Sequence, residues 1–408
     1  MDEFKLRFSL GQTGNAASGA SLYLGSYASG DNYMDMSAIT PSTMQLNRLK
    51  WETTTEYNTG LDASFLKGKL RFTVDVYQKY IKDLLQKKVK MPTSIGYGNG
   101  YEVSYMNSGK MTNKGWEFRV DAVPFENRDW RVGFYFNIAH NENKITEMPD
   151  NYTEENYTFN NGEYAYRREE GRPMGSFYGY RYKGVCQNKD ATYARDADGN
   201  VMKDISGNAI VMRNGTATIA PGDALYEDIN HDGVINQYDI VYLGNSNPRF
   251  TGGAGVNVSY KQFKLSAIFY GRYGQDVVNS TRLNNESMRG IDNQSTAVLR
   301  RWRNEGDQTD IPRALYGEGY NTLGSDRFVE DASYLRLKSL SFNYRLPKKI
   351  IQRWGFSNID VYVTGYNLFT WTKYTGQDPE VKTENTYARD SATTPASIQL
   401  VAGFNLSF

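Results

Sequence analysis

One twelve-residue stretch has the spacing of a hard-cation loop: Asp228-Ile229-Asn230-His231-Asp232-Gly233-Val234-Ile235-Asn236-Gln237-Tyr238-Asp239. Oxygen-bearing side chains fall at loop positions 1, 3 and 5, and glycine at position 6 allows the sharp bend. Val234 would offer its backbone carbonyl, Asn236 a direct or water-bridged ligand, and Asp239 the closing carboxylate. Ca²⁺ wants six or more oxygens, and Asp228, Asn230, Asp232, Val234, Asn236 and Asp239 supply them. Asp239 stands where Glu is usual, which shortens the reach of the last ligand. The competing reading is an Asn/Asp/Gly-rich turn without metal; the spacing favours calcium. The flanks read as loop and short strand, which suits a structural clip better than a sensor.

Other reactive chemistry is sparse. His140 and His231 are the only histidines and Cys186 the only cysteine, which points away from zinc and excludes an internal disulfide. Glu169-Glu170 and Glu330-Asp331 are neighbours in sequence, but adjacent strand residues point to opposite faces and share no reactive centre. No nucleophile elbow or phosphate-binding glycine loop is present, and the chain reads as no enzyme. A net charge of +1 points away from nucleic acid. Tyr152, Tyr157, Tyr164, Tyr166, Trp302, Tyr316, Tyr320 and Trp371 could stack on sugar rings. Rim girdles and loop packing account for most of them, with Trp371 and Tyr374 expected in the girdle.

The elements that hold these residues are strands. Ile398, Leu400, Ala402, Phe404, Leu406 and Phe408 are apolar at every second position, and the chain ends there on an aromatic. Period two marks one oily and one wetter face. The same alternation runs through Leu61, Ala63 and Phe65 before a turn at Lys67-Gly68, then through Leu70, Phe72, Val74 and Val76. It recurs in Trp116, Phe118, Val120 and Ala122, returning through Val132, Phe134, Phe136 and Ile138. Val256, Val258 and Tyr260 turn at Lys261-Gln262 into Phe263, Leu265, Ala267 and Phe269. A strand from Tyr334 to Leu346, with a bulge expected at Lys338-Ser339, returns after a short helical link through Ile359, Val361 and Val363. Charges on the second faces are too many for a sandwich core and suit a wet lumen. Mean hydropathy of −0.65 does not exclude this, because a transmembrane barrel hides its apolarity by alternation.

Connections alternate short and long, with the long ones at 11–50, 84–111, 145–156, 187–248, 277–330 and 372–396. Strand parity is met by adding a hairpin, 155–168 descending and 175–186 ascending, for about twelve strands beginning with 3–10. The 187–248 connection, which holds the cation loop, then falls on the extracellular side. Met1 is followed directly by strand-like residues with no export signal, so a fragment of a longer protein is expected.

These residues resemble the SusC/RagA-like branch of TonB-dependent outer-membrane transporters along nearly the whole chain. The resemblance rests on ordered stretches, among them Trp51-Glu52-Thr53, Asn58-Thr59-Gly60-Leu61-Asp62, Asn113-Lys114-Gly115-Trp116-Glu117 and Gly171-Arg172-Pro173-Met174-Gly175. It continues through Gly222-Asp223, Tyr226-Glu227-Asp228, Glu330-Asp331-Ala332-Ser333-Tyr334-Leu335-Arg336 and Gly376-Gln377-Asp378-Pro379-Glu380. It implies an all-β transmembrane antiparallel barrel, of which residues 1–408 are the C-terminal part of about 22 strands, without signal peptide, plug or TonB box. It implies import of oligosaccharides or peptides at the Gram-negative outer membrane, in contact with its lipid. Implied partners are a SusD-like lipoprotein and TonB–ExbB–ExbD. The rival class is a small non-transporting β-barrel pore or a surface glycan-binding module.

Overall fold

The computed structural model describes every residue except 20–21, 35, 92, 98–100, 149–163, 166–167, 382 and 385–386. Among the described residues no helix is long and apolar enough to cross a membrane. Ten long strands carry the fold among the described residues: β1 (Glu3–Asn15), β2 (Glu52–Phe65), β3 (Leu70–Lys82), β4 (Lys110–Glu126), β5 (Trp130–Glu147), β6 (Phe250–Tyr260), β7 (Phe263–Tyr273), β8 (Tyr334–Arg345), β9 (Asn358–Thr372) and β10 (Gln399–Ser407). β4 and β5 run 17 and 18 residues, longer than the roughly 9–11 that a tilted strand needs to span a bilayer. The chain divides into two compact units, Met1–Val120 with Ala139–Thr153 and Glu169–Arg172, and Asp121–Ile138 with Glu154–Arg168 and Pro173–Phe408.

In the first unit β1, β2 and β3 are antiparallel neighbours in unbroken register. Leu6 faces Leu61, which faces Val74, and Phe4, Ala63 and Phe72 form the next such row. Phe4, Leu6, Phe8 and Val76 on this face are exposed. The opposite face carries Arg7, whose guanidinium bonds the carboxylates of Asp62 (2.8 and 3.1 Å) and Asp75 (both 3.0 Å). Oily side chains outside and ion pairs inside reverse the order of a soluble protein.

The second unit repeats the pattern across β6 to β10. Val258, Leu265, Phe342, Val363 and Ala402 form one apolar row, and Tyr260, Phe263, Tyr344, Val361 and Phe404 the next. The other face pairs Ser266 with Asn257 (2.7 Å), Ser341 with Thr364 (2.8 Å) and Arg345 with Asp360 (2.9 Å). Here the Tyr135 ring packs against Gly255 and Tyr362 against Gly403, so that a Cβ at either glycine would collide with the ring. The expected bulge is present: the register of β8 shifts between Leu337 and Ser339. Lys338 thereby joins Arg336 on the polar face while Leu335 and Leu340 keep to the apolar one. The helical link after Pro347 is also present, at Lys348–Ile351.

Among the described residues the long strands number ten, against the twelve expected. Of the expected extra hairpin, most of 155–168 lies outside the described residues. The 175–186 arm is no membrane strand: Ser176–Gly179 pairs with Val241–Asn245, and Tyr182–Val185 with Ala224–Tyr226. All four residues of Ser176–Gly179 are buried, whereas a strand between lipid and lumen buries neither face in protein.

Arg on the lipid face of a barrel costs about 2–4 kcal/mol at the bilayer midplane. Val74→Arg should therefore impair membrane assembly more than Thr73→Arg, whose residue shares the face of Asp62 and Asp75. Heat-modifiable gel mobility reads this; equal defects would remove the face assignment.

Candidate functional sites in the long connections

The candidate cation loop follows the strand Ala224–Tyr226 and ends in the 3₁₀ turn Gln237–Asp239. Its exit, Val234–Ile235, pairs in parallel with Arg213–Asn214. His231 and Gly233 take φ of +56° and +80°, which closes the bend on itself. The Asp228 carboxylate accepts the N–H of Gly233 (2.8 Å) and of Asp232 (3.2 Å). Asp232 accepts from Val234 N–H (2.8 Å) and from the Asn230 amide (2.9 Å). Asp239 accepts the N–H of Ile229 and of Asn236, each at 2.8 Å, and the Asn236 amide donates to the Val234 carbonyl at 3.1 Å. All six sequence-selected residues thus share one hydrogen-bonded loop. His231 turns away, its Nδ1 3.2 Å from the Arg195 carbonyl oxygen.

Asp239 is fully buried. Burial pushes its carboxyl above the usual carboxylate range, more than the N–H groups of Asn236 and Ile229 lower it, and nearby Asp228 and Asp232 add to the rise. A cation would stabilise such a convergence. Among the described residues no three His, Cys, Asp or Glu side chains can hold a metal by themselves. Asn230, Asn236 and the Val234 carbonyl would have to complete the shell.

The loop is built onto a small core of its own. Tyr178, Tyr180, Cys186, Ala194, Tyr226, Ile235 and Leu323 are buried together. Cys186 is inert there, its thiol pushed up to about 11 by burial. Buried Asp223 pins this core to the next connection: Arg313 donates to it at 2.7 and 3.2 Å and Asn321 at 3.3 Å. Gly222 holds φ of +89° with the Trp302 indole against it, where a side chain would strain the backbone and clash.

A second cluster sits on the polar face of β8, and sequence reasoning missed it. Arg336 is buried and donates to Asp378, to Glu380 at 2.8 Å and to the Thr370 hydroxyl at 2.8 Å. Lys338 reaches Glu380 at 2.9 Å. The signal was available: two cations in phase on one strand, and an Asp-Pro-Glu run downstream. Burial pushes the Asp378 carboxyl up, but the N–H groups of Ala396 and Glu380 and the Arg336 guanidinium outweigh it and hold it below the usual range.

A family model described as TonB dependent receptor-like, beta-barrel, matches residues 1–368. The chain belongs to this TonB-dependent receptor family. β-Barrels of the family reside in the outer membrane, and the family is not one of enzymes. The TonB-dependent receptor P3 of Formosa agariphila is 31% identical over 94% of the chain. The TonB-dependent receptor SusC of Bacteroides thetaiotaomicron is 27% identical over the whole chain. A solved structure of the RagAB peptide transporter matches 99% of the chain at 26% identity, with a TM-score of 0.72. The chain spans 36% of P3, 38% of SusC and 41% of the RagAB chain. The SusC/RagA-like branch is therefore the right one.

Within this receptor segment the described loop aromatics divide between packed and exposed. Tyr164 is buried beside Phe177 and Phe328. Tyr374, expected in the girdle, is buried with Val277 and Val381, its hydroxyl 2.7 Å from Asp390; its place after the strand end turns it inward. Trp371 is exposed on the apolar face beside Phe369 and Phe269. Tyr316 is exposed; Tyr152, Tyr157 and Tyr166 lie outside the described residues.

Removing one partner of a buried ion pair costs about 3–5 kcal/mol. Arg336→Met should release the 373–398 connection, seen as faster subtilisin nicking there with unchanged heat-modifiable mobility. Asp378, whose folded pKa is depressed, stabilises above its unfolded value near 3.9 and loses that stabilisation as pH falls through the folded value. Nicking of the wild-type connection should stay slow at pH 5; acceleration already at pH 6 would contradict the assignment.

Proposed function

We propose that the chain is the C-terminal barrel segment of an outer-membrane TonB-dependent nutrient importer of the SusC/RagA kind. The observation that carries this reading is the reversed sheet, exposed and apolar on one face and ion-paired on the other, in a chain whose fold matches RagAB over nearly its whole length. The short turns, such as Lys67-Gly68, lie in the periplasm and the long connections outside. The substrate is an oligosaccharide or a peptide; the peptide is what the RagAB neighbour is named for. A SusD-like lipoprotein covers the long connections, and TonB–ExbB–ExbD drives import by the full-length protein. In the full-length protein, nutrient-dependent growth should stop on loss of TonB or of the lipoprotein. Growth independent of both would support a passive pore. Produced alone behind an export signal, residues 1–408 should aggregate or be degraded, because each unpaired backbone group at a sheet edge costs several kcal/mol in lipid. A stable conducting barrel from this chain would favour the rival.

Calcium in the loop of Asp228 to Asp239 belongs to the same proposal, as an extracellular clip. Sites of this type outside the cell bind at roughly 10⁻⁴–10⁻³ M, a range that external calcium fills. Calcium should slow nicking of 226–244 by protease, and Asp228→Ala with Asp232→Ala should abolish that protection while leaving the barrel assembled. Because the pKa of Asp239 is raised, protons compete early and protection should weaken as pH falls, beginning above the usual carboxylate range. Equal nicking with calcium and with chelator would leave only an Asx-rich turn.

A further inference from the structure

Beneath the Arg336 cluster lies a cavity of about 720 Å³ lined by Arg272, Asp378, Glu380, Val381, Asp390, Thr393, Thr394 and Ala396. Its three carboxylates are already engaged. Asp378 accepts from Arg336 and from the N–H of Ala396 and Glu380, and Glu380 from Arg336 and Lys338. Asp390 accepts from the Tyr374 hydroxyl at 2.7 Å and the Ala392 N–H at 3.0 Å. Arg272 differs. Its Nε donates to the Tyr270 hydroxyl at 3.1 Å and its guanidinium lies over the Tyr270 ring, but among the described residues it makes no ion pair. A guanidinium presents five donors in a fork matched to a carboxylate. Here it is half-buried, positioned by an aromatic ring, and faces a space large enough for part of a solute.

We propose that Arg272 is a substrate-recognition residue that takes a carboxylate on the imported solute, with Thr393 and Thr394 available to its hydroxyl or amine groups. This deepens the importer reading and rests on it. The carboxylate could belong to a uronic acid or to a peptide C-terminus, and the probes separate the two.

The full-length protein, purified in detergent, would be titrated with trigalacturonate against its methyl ester, and with tetra-alanine against its C-terminal amide. One acid should bind roughly ten- to a hundredfold tighter than its neutral form, the range of a charge-assisted hydrogen bond, and that pair identifies the source. Arg272→Gln should abolish the difference, and Arg272→Lys should restore part of it, as a point charge without the fork. Heat-modifiable mobility checks that each variant folds; if Arg272→Gln does not, the acid-against-ester comparison on the wild type still decides. Equal binding of acid and neutral forms, or a preference that survives Arg272→Gln, overturns the proposal. TonB-dependent growth that persists with such a negative result would leave the importer reading standing.

Discussion

The structure depends on one constraint: inside hydrocarbon no backbone N–H or C=O can go unpaired. A long antiparallel ladder satisfies it, and the uninterrupted registers of β1–β2–β3 and β6–β7 are its local expression. Once the ladder is imposed, side chains have only two directions. Lipid on one side and water on the other then force the alternation seen from Phe4-Leu6-Phe8 to Phe404-Leu406. The bulge at Lys338 is where the ladder yields to the polar face, adding a cation beside Arg336 without shifting Leu335 and Leu340 off the apolar rows.

On the polar face, charge acts through position more than through net stability. Arg7 spans three strands by bonding Asp62 and Asp75, and half-exposed pairs of this kind contribute little energy. What they supply is direction, a hydrogen-bonded row that keeps these strands in phase. Arg336 plays the corresponding part between a strand and a connection, holding Asp378 and Glu380. It thereby shapes the polar cavity beside Arg272.

The long connections follow the rules of small soluble domains. They bury Tyr178, Tyr226 and Ile235 in a core of their own, pair short strands across distant parts of the chain, and cross-link through Asp223 and Arg313. Loops organised in this way can present a defined surface, and the cation loop is one corner of it. Its carboxylates are ordered by backbone N–H groups, an order that would lower the cost of binding the proposed cation.

Alternation by itself determined that Phe72 and Val74 share an oily face in the first unit, that Leu265, Val361 and Phe404 share one in the second, and where the hairpin turns fall. It also located the bulge, because period two leaves no freedom once one face is apolar. The Asp228 to Asp239 spacing was likewise legible, since a loop closing on itself needs only local residues. Tertiary structure decided what depends on distant partners. Ser176–Gly179 alternates well enough to pass for a membrane strand, and only its partner Val241–Asn245 shows that both of its faces are buried. Tyr374 looks like a girdle residue until Val277 and Val381 close over it. Arg336 and Asp378 are 42 positions apart, and nothing in local pattern states that a strand cation and a loop carboxylate will meet. Periodicity encodes which way a side chain points; only the folded chain decides what it points at.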